Sequence, residues 1–185
     1  MYLGLNKKYK TNVHAIRFAK DFKKNISDLF KSIIPEDPSF YMYSPSQIDD
    51  SVAPKGKESL YVLVPVPSLH QNDIVWTDSL KNEYYQKMIS MISTISGFED
   101  IKDHVEISHI YTPNDFEKEF NLMFGATFGL RPNATQSLYF RPQATIKHVK
   151  NLYFAGSSNH PGAGVPIVLM GSKIAVAEIV KDVKL

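Results

Sequence analysis

The stretch from Asn151 to Lys173 constrains the fold of this chain more than any other. It reads Asn-Leu-Tyr-Phe-Ala-Gly-Ser-Ser-Asn-His-Pro-Gly-Ala-Gly-Val-Pro-Ile-Val-Leu-Met-Gly-Ser-Lys. The apolar run Leu152 to Ala155 ends at Gly156, as a short buried strand ends. Gly162 and Gly164 remove side chains where another group approaches the backbone closely. Pro166 stands where a first helical residue is expected, and its missing donor is harmless there. The spacing therefore predicts a strand, a glycine-rich turn and a helix running to Asp182. Free N–H groups and the positive end of the helix dipole point out of such a turn. They suit a phosphate or an electron-rich ring oxygen. Taken alone, the pattern is equally that of a plain structural connection.

The rest of the chain reads as strands and helices in mixed order. Tyr2, Leu3 and Leu5 form a strand at the first residue, without the polar lead-in usual for a domain. The expectation is a sequence that begins inside a fold. Val13 to Phe18 reads as a second strand. Asp21 to Ile34 reads as a helix burying Phe22, Ile26, Leu29, Phe30 and Ile33, stopped by Pro35. Phe40 to Tyr43 and Leu60 to Val66 are strands rich in aromatic and β-branched residues. Thr77 or Asp78 caps a helix running to Ser96, with Gly97 closing it. Val105 to Tyr111 alternates like a half-buried strand. Thr112-Pro113-Asn114-Asp115 starts another helix. Gly125 to Gln136 is irregular. The first hundred residues thus look α+β with antiparallel strands, and the remainder looks like a piece of an α/β nucleotide-binding domain.

Composition excludes several functions. A net charge of +2 leaves no nucleic-acid footprint. The absence of cysteine removes thiolate metal sites, disulfides and a cysteine nucleophile, and fits a reducing compartment. His104, His109 and His148 lack metal-ligand spacing, so no metal site is expected. Asp49-Asp50 and Glu99-Asp100 are acidic pairs in loops, with nothing to set them across a substrate. No segment looks like a signal peptide, and no apolar run approaches the ~20 residues that span a bilayer. Ten tyrosines and eleven phenylalanines are enough for a ring-built core, and also for the lining of a long apolar ligand.

Three blocks carry a specific resemblance: Phe124-Gly-Ala-Thr-Phe-Gly-Leu-Arg-Pro132, Gln136-Ser-Leu-Tyr-Phe-Arg-Pro142, and Asn151 to Lys173. In order and spacing they resemble the C-terminal part of bacterial carotenoid desaturases of the phytoene type. Within that family the thirty-carbon, dehydrosqualene-desaturating branch is nearest. The resemblance extends through Phe98 to Lys102, Tyr111 to Phe116, Leu60 to Pro65 and Tyr2 to Leu5. It implies part of an FAD-dependent oxidoreductase of the amine-oxidase type. Residues 1–100 would be the remainder of an antiparallel-sheet substrate domain. Residues 101–185 would be the C-terminal segment of the FAD-binding domain. The implied reaction introduces double bonds into dehydrosqualene, at the membrane surface in the cytoplasm. The motifs equally admit a related oxygenase of the terminal methyl group, or a non-catalytic truncated product that binds apolar ligands.

The dinucleotide fingerprint G-x-G-x-x-G, which holds the ADP half, is missing. Gly162-Ala-Gly164-Val-Pro-Ile167 begins like it, but Ile167 takes the last glycine's place. In the family the fingerprint lies near the N-terminus of a longer chain, so the resemblance implies an absent N-terminal FAD-binding part. What it implies here is the flavin-capping turn, on Gly156, Ser157, Gly164, Val165, Pro166 and Ile167. Many flavin oxidoreductases carry an acid where this chain has Ser157, which leaves backbone contacts as the basis of the reading. His160 has two readings, a proton carrier near the flavin or a residue packing the turn, and the second is preferred. Arg131 and Arg141 are read as pyrophosphate contacts or as ordinary ion-pairing residues. Phe120, Phe124 and Phe128 belong to an apolar cluster that is either core or the wall of a hydrocarbon tunnel.

Overall fold

The computed structural model describes residues 1–70, 74–130 and 133–183. The chain separates into two compact units, Met1–Ala126 and Thr127–Leu185.

In the first unit five strands form one antiparallel sheet: β1 (Tyr2–Leu5), β2 (His14–Arg17), β3 (Phe40–Tyr43), β4 (Glu58–Leu63) and β5 (Val105–His109). Their order is β2-β3-β4-β1-β5. Strand alternation sends Leu3, Leu5, Phe40, Met42, Leu60 and Val62 to one face. There they share a core with Tyr9, Phe98, Ile101 and with Met88, Ile89 and Ile92 of helix α2 (Asp78–Ile92). β4 stops at Leu63, short of the expected Val66, because Pro65 and Pro67 follow and cannot donate to a ladder. β5 is an edge strand exposed from Glu106 to His109, not the half-buried strand that its alternation predicts.

Two helices differ from expectation. Helix α1 (Phe22–Phe30) is shorter than 21–34, and Ser32 beyond it takes a left-handed φ of 59°. Phe22, Phe30 and Ile33 are exposed, while Asn25 and Asp28 are buried. Asn25 ties that face to the chain beyond the helix by accepting from the Ser39 amide, while Asp28 pairs within the helix with the Lys24 ammonium at 2.6 Å. Helix α2 is capped by Thr77, which accepts from the Leu80 amide. It ends at Ile92 rather than Ser96, where the Ser93 and Thr94 hydroxyls bind the Ser90 and Met91 carbonyls. Helix α3 (Ile101–His104) leads into β5. Helix α4 (Pro113–Phe120) starts at a capping box between Thr112 and Asp115, as the sequence predicts.

The second unit contains a hairpin of β6 (Thr145–Ile146) and β7 (Val149–Tyr153), followed by helix α5 (Val165–Val183). The predicted strand–turn–helix order is present, with the strand starting three residues and ending two residues earlier than expected, and Leu152 exposed rather than buried. Only Gly171 and Ala175 of α5 are buried, and Val165, Leu169, Met170 and Val176 stand exposed. Among the described residues no helix is long and apolar enough to cross a membrane.

Candidate functional site

Between β7 and α5 the chain makes the glycine turn that its sequence announces. Gly156, Gly162 and Gly164 take φ values of 145°, 140° and 106°, a region that residues with a Cβ rarely enter. No atom lies within 4 Å of the point where a Cβ on Gly156 would sit. At Gly164 such an atom would meet only Ile167 Cδ1, at 3.8 Å. Both positions therefore leave open space against the backbone.

The turn is fixed from inside. The Asn159 amide donates to Gly156 at 3.2 Å, and the His160 amide donates to Pro142 at 2.7 Å. The Val168 amide donates back to Gly164 at 2.8 Å, closing the first turn of α5. The amides of Gly162, Ala163 and Gly164 find no acceptor among the described residues. These amides and the glycine-cleared surface fit the polar edge of a flavin ring or its ribityl chain. The sequence holds no G-x-G-x-x-G, the fingerprint that grips an ADP moiety.

Arg141 is the residue whose role the sequence left unsettled. Its side chain is only 4% exposed. Nε donates to Asn159 at 3.2 Å and Nη1 to Gln136 at 3.0 Å. Nη2 donates to Leu130 at 3.3 Å and to Ser157 at 2.6 Å. All four acceptors are backbone carbonyls. Gly162 packs beside the guanidinium, where an added Cβ would come within 3.7 Å of Nε. No ion pair to Arg141 is present among the described residues. Arg131 lies outside the described residues.

The remaining sequence candidates fall as follows. Gly156, Ser157, Gly164, Val165, Pro166 and Ile167 all lie in this turn or the first turn of α5, with Val165 and Ile167 exposed. His160 is half-buried, its peptide bond to Pro161 is cis, and its carbonyl packs against Gly171 of α5. Phe120 and Phe124 belong to the first unit and Phe128 to the second. Phe120 packs against Tyr111 with ring centres 5.5 Å apart, and Phe124 against His70 at 4.6 Å. Asp49 caps a short turn by accepting from the Ser51 amide. Among the described residues no group of His, Asp and Glu is placed to hold a metal ion.

A second feature escaped the sequence reading. On the sheet face opposite the core, strand register aligns His14 with Tyr43, Tyr43 with Tyr61, Tyr61 with Tyr2 and Tyr2 with His109. The rings touch along this row: His14–Tyr43 at 4.8 Å, Tyr2–Tyr61 at 5.1 Å and Tyr2–Tyr111 at 6.1 Å. Tyr111 carries the row onto Phe116 and Phe120 of α4. Burial, with the neighbouring phenols Tyr2 and Tyr41, raises the Tyr61 pKa above 10.0, so its hydroxyl stays neutral. The signal was the placement of tyrosines at outward positions of three strands and histidines on the other two, which becomes visible only once the register is known.

No protein-family model matches the chain. Comparison with curated proteins gives a consistent result. The chain is 44% identical over its whole length to the 4,4'-diapophytoene desaturase (4,4'-diaponeurosporene-forming) of Staphylococcus aureus strain MRSA252. It is 45% identical to the protein of that name from the bovine strain RF122 / ET3-1, and 43% identical to that of Staphylococcus haemolyticus. It spans 37 to 38% of the length of these relatives. Over its entire length the chain is thus related to the C-terminal part of the bacterial 4,4'-diapophytoene desaturases.

Proposed function

We propose that the chain is a C-terminal fragment of an FAD-dependent desaturase that introduces double bonds into 4,4'-diapophytoene (dehydrosqualene), a thirty-carbon carotenoid precursor. The observation that carries this reading is the identity of 43 to 45% with the named desaturases along the whole chain. The glycine turn supports it, since open space lies against the backbone at Gly156 and Gly164. Bound flavin would supply the hydride acceptor. The chain's own contribution is to hold the polar edge of the ring with the amides of Gly162 to Gly164, and to keep Gly156 and Gly164 clear of it. Ser157, Val165, Pro166 and Ile167 line the same turn. His160 orients that turn through its backbone and is not needed as an acid or base.

The row of rings on the sheet supports an apolar substrate. Five strands at about 4.8 Å spacing span roughly 19 Å, which suits an extended isoprenoid better than a compact ligand. Phe120 continues that row, and Phe124 and Phe128 are further wall candidates. Such a hydrocarbon partitions into lipid, so the working enzyme belongs at the cytoplasmic membrane surface. Residues 1–100 act as part of its substrate domain and residues 101–185 as part of its flavin domain.

The chain lacks the ADP-binding fingerprint, so the isolated chain binds FAD weakly and does not turn over. The test is a chimaera joining the N-terminal part of the S. aureus enzyme to these 185 residues. Stoichiometric FAD in the chimaera, with little in the isolated chain, supports the reading. A well-folded chimaera without flavin, or stoichiometric flavin on the isolated chain, overturns it.

A further inference from the structure

We propose that Arg141 is the positioning residue of the flavin-facing turn, acting through the Ser157 and Asn159 carbonyls and through its own buried charge. The proposal rests on the flavin reading above and assigns the turn a determinant that the glycine motif does not contain. Arginine stays protonated in proteins, so a guanidinium 4% exposed is a buried cation. Buried cations are normally paired with a carboxylate. Here, among the described residues, the partners are four neutral carbonyls, those of Leu130, Gln136, Ser157 and Asn159.

Two consequences follow from that arrangement. The first is geometric. The fork gathers the carbonyls of the turn on the Arg141 side, so the backbone between Ser157 and Asn159 cannot rotate without breaking charge-assisted bonds. Gly162 beside it takes a φ of 140°, which favours glycine, while an added Cβ would only touch the guanidinium, at 3.7 Å from Nε. The second is electrostatic. Carbonyl dipoles solvate the cation but leave its net charge in place. That charge favours negative charge on a group held by the turn, as develops on a reduced flavin ring. Lysine retains the charge but not the four-bond fork, and methionine retains neither.

The two effects can be measured separately. In the isolated chain, exchange of the Asn159 and His160 amides, which donate to Gly156 and Pro142, should accelerate about tenfold or more in both Arg141→Lys and Arg141→Met. Exchange at the core strand residues Leu60 and Val62 serves as the internal control and should not change. In the flavin-loaded chimaera, sulfite is the probe, because it adds to the ring and leaves it anionic. Its affinity should fall about tenfold or more in Arg141→Met and stay within about threefold in Arg141→Lys. Unchanged exchange at the turn in both variants overturns the geometric role. Unchanged sulfite affinity in a flavin-loaded Arg141→Met overturns the electrostatic one. If the unsubstituted chimaera binds no flavin, the functional reading fails and the electrostatic role falls with it, while the exchange result still decides the hold on the turn.

Discussion

The Tyr9 hydroxyl donates to Asp100 Oδ1 at 3.0 Å, linking a core tyrosine to the residue just before α3. The Tyr9 ring packs on Phe98 at 4.9 Å, and the same carboxylate takes the Lys7 ammonium and His104 Nε2. The hydrogen bond from Lys7, joined by that from Tyr9 and by the charges of Lys7 and His104, holds the Asp100 pKa down at about 2 against an ordinary 3.8. A depressed carboxylate pKa gives stability that is complete above the ordinary value and is lost as pH falls towards the folded one. The stability difference between the parent chain and Asp100→Asn should therefore be present at pH 6 and shrink between 3.8 and about 2. Urea unfolding at a series of pH values measures it. A difference that persists unchanged at the lowest pH contradicts this role for Asp100.

Gly125 and Gly56 test the difference between strain and clash. Both have positive φ, 64° and 79°. A Cβ on Gly56 would meet nothing within 4 Å, whereas on Gly125 it would lie 2.2 Å from the Pro113 carbonyl oxygen. Gly56→Ala should cost about 1 kcal/mol, the backbone penalty alone. Gly125→Ala should cost about 3 kcal/mol or more, because Pro113 is backbone at the start of α4 and cannot move aside cheaply. Equal losses in denaturant titrations would refute the clash.

Much of the fold was legible because its signals are local. Thr112 to Asp115 announced α4 by capping chemistry, and Gly156 to Pro166 announced the turn by glycine and proline placement. What was not legible depends on partners distant in sequence. The apolar stripe of α1 marked a helix, but its buried side carries Asn25, whose partner Ser39 lies beyond the helix. The tyrosine row needed the strand register. Arg141 stood next to Pro142 with no sequence cue that its guanidinium reaches the turn from Ser157 to Asn159.

Gly164→Val in the chimaera should abolish flavin loading. A φ of 106° is hostile to any β-branched residue, and the added methyls would enter space that the turn keeps clear. Absorbance after gel filtration reports the loading, and a full flavin spectrum would show that the turn does not face the ring.

His160→Ala in the chimaera should slow flavin reduction less than about tenfold at full occupancy, whereas losing an acid or base typically costs ~10²–10⁴. The amide's hydrogen bond to the Pro142 carbonyl and the carbonyl packed on Gly171 belong to the backbone and survive the substitution. A loss above about a hundredfold at full occupancy would make the imidazole catalytic.

The most direct measurement is anaerobic single-turnover reduction of the chimaera's flavin by 4,4'-diapophytoene in lipid vesicles, followed by the loss of oxidised-flavin absorbance. The account predicts bleaching of the flavin together with the appearance of a longer conjugated polyene. Stoichiometric flavin that stays oxidised in the presence of this hydrocarbon would contradict the proposed desaturase function.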